Sequence, residues 1–147
     1  MDQEEWEDMP LSGTYEHTLD AKGRVSLPSK IRRLLPQTVK TVLDVDNASV
    51  LVFSPKAYKA WVEGFFPDGF NPRSASHVKL KQRLLAFAED ADIDSAGRIG
   101  ISAKLRSIVG LEKDVTIIGW DDHLKIVDRA KNSAFEDELL AMDFMVE

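Results

Sequence analysis

A seven-residue phrase occurs twice in this chain: Leu19-Asp20-Ala21-Lys22-Gly23-Arg24-Val25 and, 74 residues on, Ile93-Asp94-Ser95-Ala96-Gly97-Arg98-Ile99. Lys30 and Lys104, and Arg32 and Arg106, keep the same offset, which holds over most of both halves. A fixed-period echo in a chain of 147 residues marks a duplicated supersecondary unit. Half of this chain is too small to bury a sizeable core of its own, so the two copies must share one.

The chemistry of the phrase is that of a tight turn. Asp at the first position of Asp20-Ala21-Lys22-Gly23 can accept backbone N–H bonds, and Gly at the fourth can take φ > 0. The flanks, Tyr15 to Leu19 and Arg24 to Leu27, alternate polar and apolar residues, which predicts a hairpin closed by a type I turn and a bulged glycine. Arg24 then stands at the hairpin tip. Arg98 takes the same place in a second hairpin made of Ala91 to Ile93 and Arg98 to Ile101.

Each hairpin is followed by a short helix, opened by Pro28 at its first position in one copy and by Ser102 as N-cap in the other, and stopped by Pro36 and Gly110. Strand-forming stretches come next, Val39 to Val45 with Ser49 to Phe53, and Val115 to Trp120 with Leu124 to Val127, joined at Asp46-Asn47 and Asp121-Asp122. Ser54-Pro55 and Asp128 cap longer helices, in which Trp61 and Phe135 fall at matching positions. Each copy reads β-β-α-β-β-α. The expected organisation is an acidic extension (1–11), a first module (12–66), a linker and helix (67–89), a second module (90–137) and a tail (138–147). The linker helix, from about Ser74 to Glu89, spreads Val78, Leu80, Leu84, Leu85, Phe87 and Ala88 too widely for one narrow stripe. Part of it is therefore expected to meet a neighbour, either the chain's own halves or another subunit.

The net charge of −6 argues at first against a nucleic-acid partner. Its distribution reverses that. Residues 1–13 carry −5 and residues 128–147 carry −4, so the span between them is +3. Within it, Lys22, Arg24, Lys30, Arg32 and Arg33 crowd into residues 20–33 against Asp20 alone. The chain has no cysteine, which excludes a disulfide scaffold and thiolate chemistry. It has neither an apolar stretch of spanning length nor a basic-then-apolar leader, and a cytoplasmic protein without membrane contact is expected.

The run Glu16-His17-Thr18-Leu19-Asp20-Ala21-Lys22-Gly23-Arg24-Val25-Ser26-Leu27-Pro28, with the second Asp94-x-x-Gly97-Arg98, Gly110-Leu111 and Gly119, resembles the bacterial MraZ family of transcriptional regulators over roughly residues 12–135. The fold this resemblance implies is α+β: two tandem swapped-hairpin, AbrB-like (double-psi-barrel-like) modules forming one pseudo-twofold domain with peripheral helices. It implies a ring-shaped homo-oligomer that binds direct repeats in double-stranded promoter DNA of the division and cell-wall gene cluster, and so a nucleoid location. The family motifs map onto Asp20, Gly23 and Arg24, onto Asp94, Gly97 and Arg98, and, for the basic loop residue, onto Lys22. The second loop, Ser95-Ala96, lacks that lysine. Ser102 stands where the family usually has proline, and the acidic residues 1–10 have no family counterpart.

On this reading the Arg24 guanidinium enters the major groove and bonds guanine O6 and N7, while Lys22, Lys30, Arg32 and Arg33 meet phosphates. Arg98 is the second candidate. Asp20, Gly23, Asp94 and Gly97 are structural. A plainer reading pairs Arg24 with Asp20 and Arg98 with Asp94 as braces of the turn.

Other constellations point nowhere. Asp90, Asp92 and Asp94 have calcium-loop spacing, but Ser95 replaces the required glycine and Ile101 the bidentate glutamate. His17, His77 and His123 are isolated, so no metal site is expected. No nucleophile elbow or triad is marked, and neither an enzymatic activity, a cofactor nor a small-molecule substrate is expected. The alternative function is an AbrB-like antitoxin or interaction module. It would use the acidic tail from Glu136 to Glu147, which holds Leu139, Leu140, Met142, Phe144 and Met145.

Overall fold

The computed structural model describes residues 9–144. The acidic extension therefore enters the described structure only from Met9 onward, and the end of the tail, residues 145–147, lies outside the described residues as well. The first copy contributes β1 (Thr14–Thr18), β2 (Arg24–Ser26), α1 (Ser29–Arg32), β3 (Thr38–Leu43), β4 (Val50–Phe53) and α2 (Pro55–Glu63). The linker contributes α3 (Ala75–Ala86). The second copy contributes β5 (Ala88–Asp92), β6 (Arg98–Gly100), α4 (Ala103–Val109), β7 (Asp114–Trp120), β8 (His123–Asp128) and α5 (Arg129–Ala141).

The strands do not pair within their own copies alone. A six-stranded antiparallel sheet runs β1-β7-β8-β4-β3-β5, and β2 pairs with β6 in a separate ribbon. Exchanging the two copies turns the sheet order into its own reverse, which is the mark of a pseudo-twofold. The axis passes through two register pairs, Leu51 opposite Lys125 and Val25 opposite Ile99, each separated by the repeat offset of 74. The offset is not uniform. Leu19 N–H donates to the Lys113 carbonyl and Ile93 N–H to the Gln37 carbonyl, equivalent bonds whose acceptors are 76 apart. The second copy's α4 is longer than α1, and its β7–β8 turn is shorter than the β3–β4 loop, so the register slips by two and returns.

The expected hairpins need correction. Asp20 N–H donates to the Arg24 carbonyl, closing the turn, but the arms then part: β1 joins β7 of the other copy and β2 joins β6. The alternation that predicted a hairpin is real. Its apolar residues face a core that both copies build, so the arms find partners across the pseudo-twofold rather than in each other. Other boundaries also move. Pro28 is the N-cap of α1 rather than its first residue, and α1 ends at Arg32, ahead of Pro36. The linker helix stops at Ala86, and Ala88 to Asp92 form β5, so the second copy's first strand starts earlier than expected.

The main core lies between the inner face of the sheet and the β2–β6 ribbon. Val25, Ile99, Val39, Val115, Val52 and Ile126 are all buried there, drawn equally from both copies. A second cluster lies on the outer face, and its buried apolar residues come from the first copy and the linker: Val42, Leu51, Phe53, Tyr58, Val62, Phe66 and Leu84. This explains two strand patterns. β4 (Val-Leu-Val-Phe) is buried on both faces and reads as a continuous apolar run, whereas β8 (His-Leu-Lys-Ile-Val-Asp) mixes buried and half-buried positions. Gly119 marks a close crossing: a Cβ there would overlap the Ser12 backbone.

Candidate nucleic-acid interface

Each Asp-x-x-Gly-Arg phrase folds into the same turn. In the first, Asp20 Oδ1 accepts the Lys22 and Arg24 backbone N–H groups, both at 2.9 Å, and the Asp20 carbonyl accepts Gly23 N–H at 3.0 Å. In the second, Asp94 Oδ1 accepts Ala96 and Arg98 N–H, again both at 2.9 Å, and its carbonyl accepts Gly97 N–H at 2.9 Å. Gly23 and Gly97 have φ of 75° and 79°, a region that an L side chain enters only at a cost. The turn chemistry read from the sequence is the chemistry present.

The brace is present too. Arg24 Nε donates to Asp20 Oδ2 at 2.8 Å and Arg98 Nε to Asp94 Oδ2 at 2.9 Å. Each pair uses only Nε. Among the described residues the terminal Nη1 and Nη2 groups of both arginines make no hydrogen bond, and the side chains are 32% and 34% exposed. The carboxylate thus fixes the guanidinium from behind and, among the described residues, leaves its outer fork without a protein partner. The Arg24 backbone N–H, then its side chain and the Lys22 N–H, hold the Asp20 carboxyl below its ordinary value of 3.8. The Arg98 backbone N–H and side chain, with Ala96 N–H, do the same for Asp94.

The ribbon decides where the two forks stand. Arg24 is opposite Gly100 and Arg98 opposite Ser26. Paired residues share a face, so Arg24, Ser26, Arg98 and Gly100 lie on the outward side while Val25 and Ile99 are buried beneath them. The two arginines are diagonal cross-strand neighbours, with Cα atoms about 7–8 Å apart. Residues far apart in the sequence become one narrow cationic surface.

The remaining cations divide. Lys22, Lys30 and Arg33 are exposed, Lys22 within the first turn and Arg33 at the end of α1. Arg32 crosses to the other copy: its Nη2 donates to the Ser95 carbonyl at 3.2 Å, and a Cβ on Gly97 would lie 2.8 Å from its Nη1. It therefore supports the second turn as well as adding charge there. Arg106 does the reciprocal thing. Its Nε donates to the Ile101 carbonyl at 2.9 Å, and its guanidinium lies against Gly23 of the first turn. Arg106 and Lys104 are absent from the residues singled out by charge density in 20–33; Arg106 belongs to the same surface, while Lys104 Nζ lies over the Phe87 ring, 4.8 Å from its centroid. The signal was there, since both stand in register with Arg32 and Lys30. Segments 20–33 and 94–106 together carry eight Lys and Arg against Asp20 and Asp94, a local charge of +6 in a chain of −6.

Elsewhere the surface is chemically plain. A groove of about 450 Å³ is lined by residues such as Leu11, Leu35, Pro36, Ala57 and Asp121 and includes no residue of either turn. Asp121 and Asp122 form the β7–β8 turn, with Asp121 at φ 61°, and Asp122 pairs with His123 Nδ1 at 2.7 Å. His123 is buried against the Phe53 ring, with centroids 4.6 Å apart. Among the described residues no group of His, Cys, Asp or Glu is placed to hold a metal ion, and no helix is long and apolar enough to cross a membrane.

Fold and surface together define a class: a tandem-repeat α+β protein whose copies interleave strands and present paired turn arginines on one exposed ribbon. The family model described as "MraZ protein, putative antitoxin-like" matches twice, over residues 11–74 and 84–147, and the chain belongs to the MraZ family. Curated relatives named "Transcriptional regulator MraZ" cover most of the chain. The protein from Spiroplasma kunkelii is 34% identical over 120 residues, 82% of each chain. That from Treponema pallidum (strain Nichols) is 34% identical over 137 residues, 88% of this chain and 86% of its own. That from Bordetella pertussis (strain Tohama I) is 34% identical over 134 residues, 89% of this chain and 91% of its own.

Proposed function

We propose that this chain is a DNA-binding transcriptional regulator that grips direct repeats in double-stranded promoter DNA, in the cytoplasm at the nucleoid, through the outward face of the β2–β6 ribbon. Arg24 and Arg98 read guanine edges, and Lys22, Lys30, Arg33 and the cross-bracing Arg32 and Arg106 face phosphates. The target on this reading is the promoter of the division and cell-wall gene cluster, including the chain's own. Its action is binding, with no reaction catalysed. The modules are residues 12–66 and 90–137, each a swapped-hairpin, AbrB-like unit, and several chains form a ring so that repeated boxes meet repeated ribbons.

One observation carries the reading: two arginines on one exposed face, each held through Nε with both Nη groups directed to no protein partner among the described residues. An end-on guanidinium offers two parallel N–H donors, which matches guanine O6 and N7. The relatives' name supplies the transcriptional role. Electrophoretic shift of DNA from upstream of the gene, at several salt concentrations, tests it. Arg24→Ala should weaken binding by about 1–3 kcal/mol and relax base preference, whereas Lys22→Ala should weaken binding to all sequences alike and lower the salt slope by about one. Unchanged shifts for both Arg24→Ala and Arg98→Ala would make the arginines turn braces only.

A second reading has support from α5, whose C-terminal half exposes Leu139 and Leu140 beside Glu136, Asp137 and Glu138. An antitoxin-like chain would use such a segment to occupy a small protein partner. A stoichiometric partner recovered with the chain and lost on Leu140→Glu would favour it.

A further inference from the structure

Helices α2 and α5 hold equivalent places, after β4 and β8, and Trp61 and Phe135 mark the same position in each. α2 is covered. Tyr58 and Val62 are buried in one cluster with Leu84 of α3, and the Tyr58 hydroxyl donates to the Leu84 carbonyl at 3.0 Å. α5 packs on β7 and β8, and its outer side is open among the described residues. Asn132 is its buried residue, while Phe135, Leu139 and Leu140 stand exposed, Leu140 at 86%.

Among the described residues the far flank of α3 is bare in the same way. Val78 and Leu85, seven residues and so about two turns apart on one side, are exposed and line an apolar groove with Phe70. Apolar side chains grouped on an open helix flank suit a docking surface. The charges around the two surfaces are opposite. Residues 132–142 contain Glu136, Asp137 and Glu138 and no Lys or Arg; residues 74–87 contain no Asp or Glu, and of their cations Lys79 and Lys81 remain for this flank, since Arg83 donates to the Asp44 carbonyl and Asn47 Oδ1.

We propose that α5 of one copy docks on the outer flank of α3 of a second copy, giving α5 the helical cover that α3 already gives α2. Apolar anchors meet at the centre and the acidic and basic residues pair around them, which favours this orientation over α3 on α3 or α5 on α5. The two surfaces differ, so the contact is heterologous. One end copy of such a series keeps a free α3 flank and the other a free α5, and the series closes where its rotation closes. The assignment rests on the reading that copies of this chain assemble, and not on DNA binding.

Light scattering of the full chain during size-exclusion chromatography tests it, with circular dichroism to show that each variant is folded. Val78→Glu with Leu85→Glu, and separately Leu139→Glu with Leu140→Glu, should each reduce the assembly to monomers. Mixing the two variants should give a dimer and nothing larger, because one intact α5 meets one intact α3. Reversing Lys79 and Lys81 to Glu should weaken assembly, and adding Glu136→Lys and Glu138→Lys should restore it. A folded variant that keeps the wild-type mass, or a mixture that stays monomeric, overturns this interface while leaving assembly itself intact. A monomeric wild-type chain overturns both the interface and the ring, and leaves the gel-shift result to judge DNA binding.

Discussion

On the inner face of the sheet the two copies match: Val50 with Leu124, Val52 with Ile126, and in the ribbon Val25 with Ile99, every one buried. On the outer face they diverge. Leu51, Phe53, Tyr58 and Val62 of the first copy correspond to Lys125, Val127, Asn132 and Glu136 of the second. The inner positions face a core that both copies fill, so a change in either is felt by both. The outer positions answer only to whatever covers them, and α3 covers one copy alone. Duplication is thus kept where the pseudo-twofold enforces it and relaxed where the linker breaks it.

The comparison can be broken most sharply by truncating outer-face partners. Phe53→Ala removes a fully buried ring and should cost about 3–5 kcal/mol, while its counterpart Val127→Ala, half-buried, should cost about 1 kcal/mol, both read by chemical denaturation. Equal losses would mean that the second outer face is covered as well as the first.

The turns should behave oppositely, as equals. Gly23→Ala and Gly97→Ala each force an L residue to positive φ and press a Cβ towards Arg106 or Arg32. Those side chains can swing away, so the backbone dominates, at about 1–2 kcal/mol for each. A large gap between the two values would show that one tip carries more than its turn.

The smallest effect concerns acid. Asp20 and Asp94 have folded-state values below the ordinary 3.8, so the stability they contribute is complete above that value and is lost as pH falls through the lowered one. Replacing both by Asn should leave the slope of stability between pH 5 and 8 unchanged and flatten it below about pH 4, as followed by urea midpoints at each pH. An unaltered acid slope would locate acid sensitivity elsewhere.

Much of the site could be read in the linear chain because its determinants are local. An aspartate accepting N–H groups two and four residues on, and a glycine at positive φ, need no distant partner, and both turns formed as written. The pairing of arms was not legible. Alternation in Tyr15 to Leu19 states which side of a strand is apolar and says nothing about which strand lies beside it. The same holds for charge. Density along residues 20–33 picked out Arg32 but not Arg106, although the two reach across to opposite turns in reciprocal fashion.

By itself, then, the sequence determined that there are two copies, what turn each contains, and that cations gather near those turns, because repetition and turn chemistry act over a few bonds. Tertiary structure alone decided that β2 pairs with β6, that Arg24 and Arg98 share one outward face, and that among the described residues α5 lacks the cover α2 enjoys. Those outcomes depend on burying apolar surface contributed by both halves at once, a quantity no short stretch of chain contains.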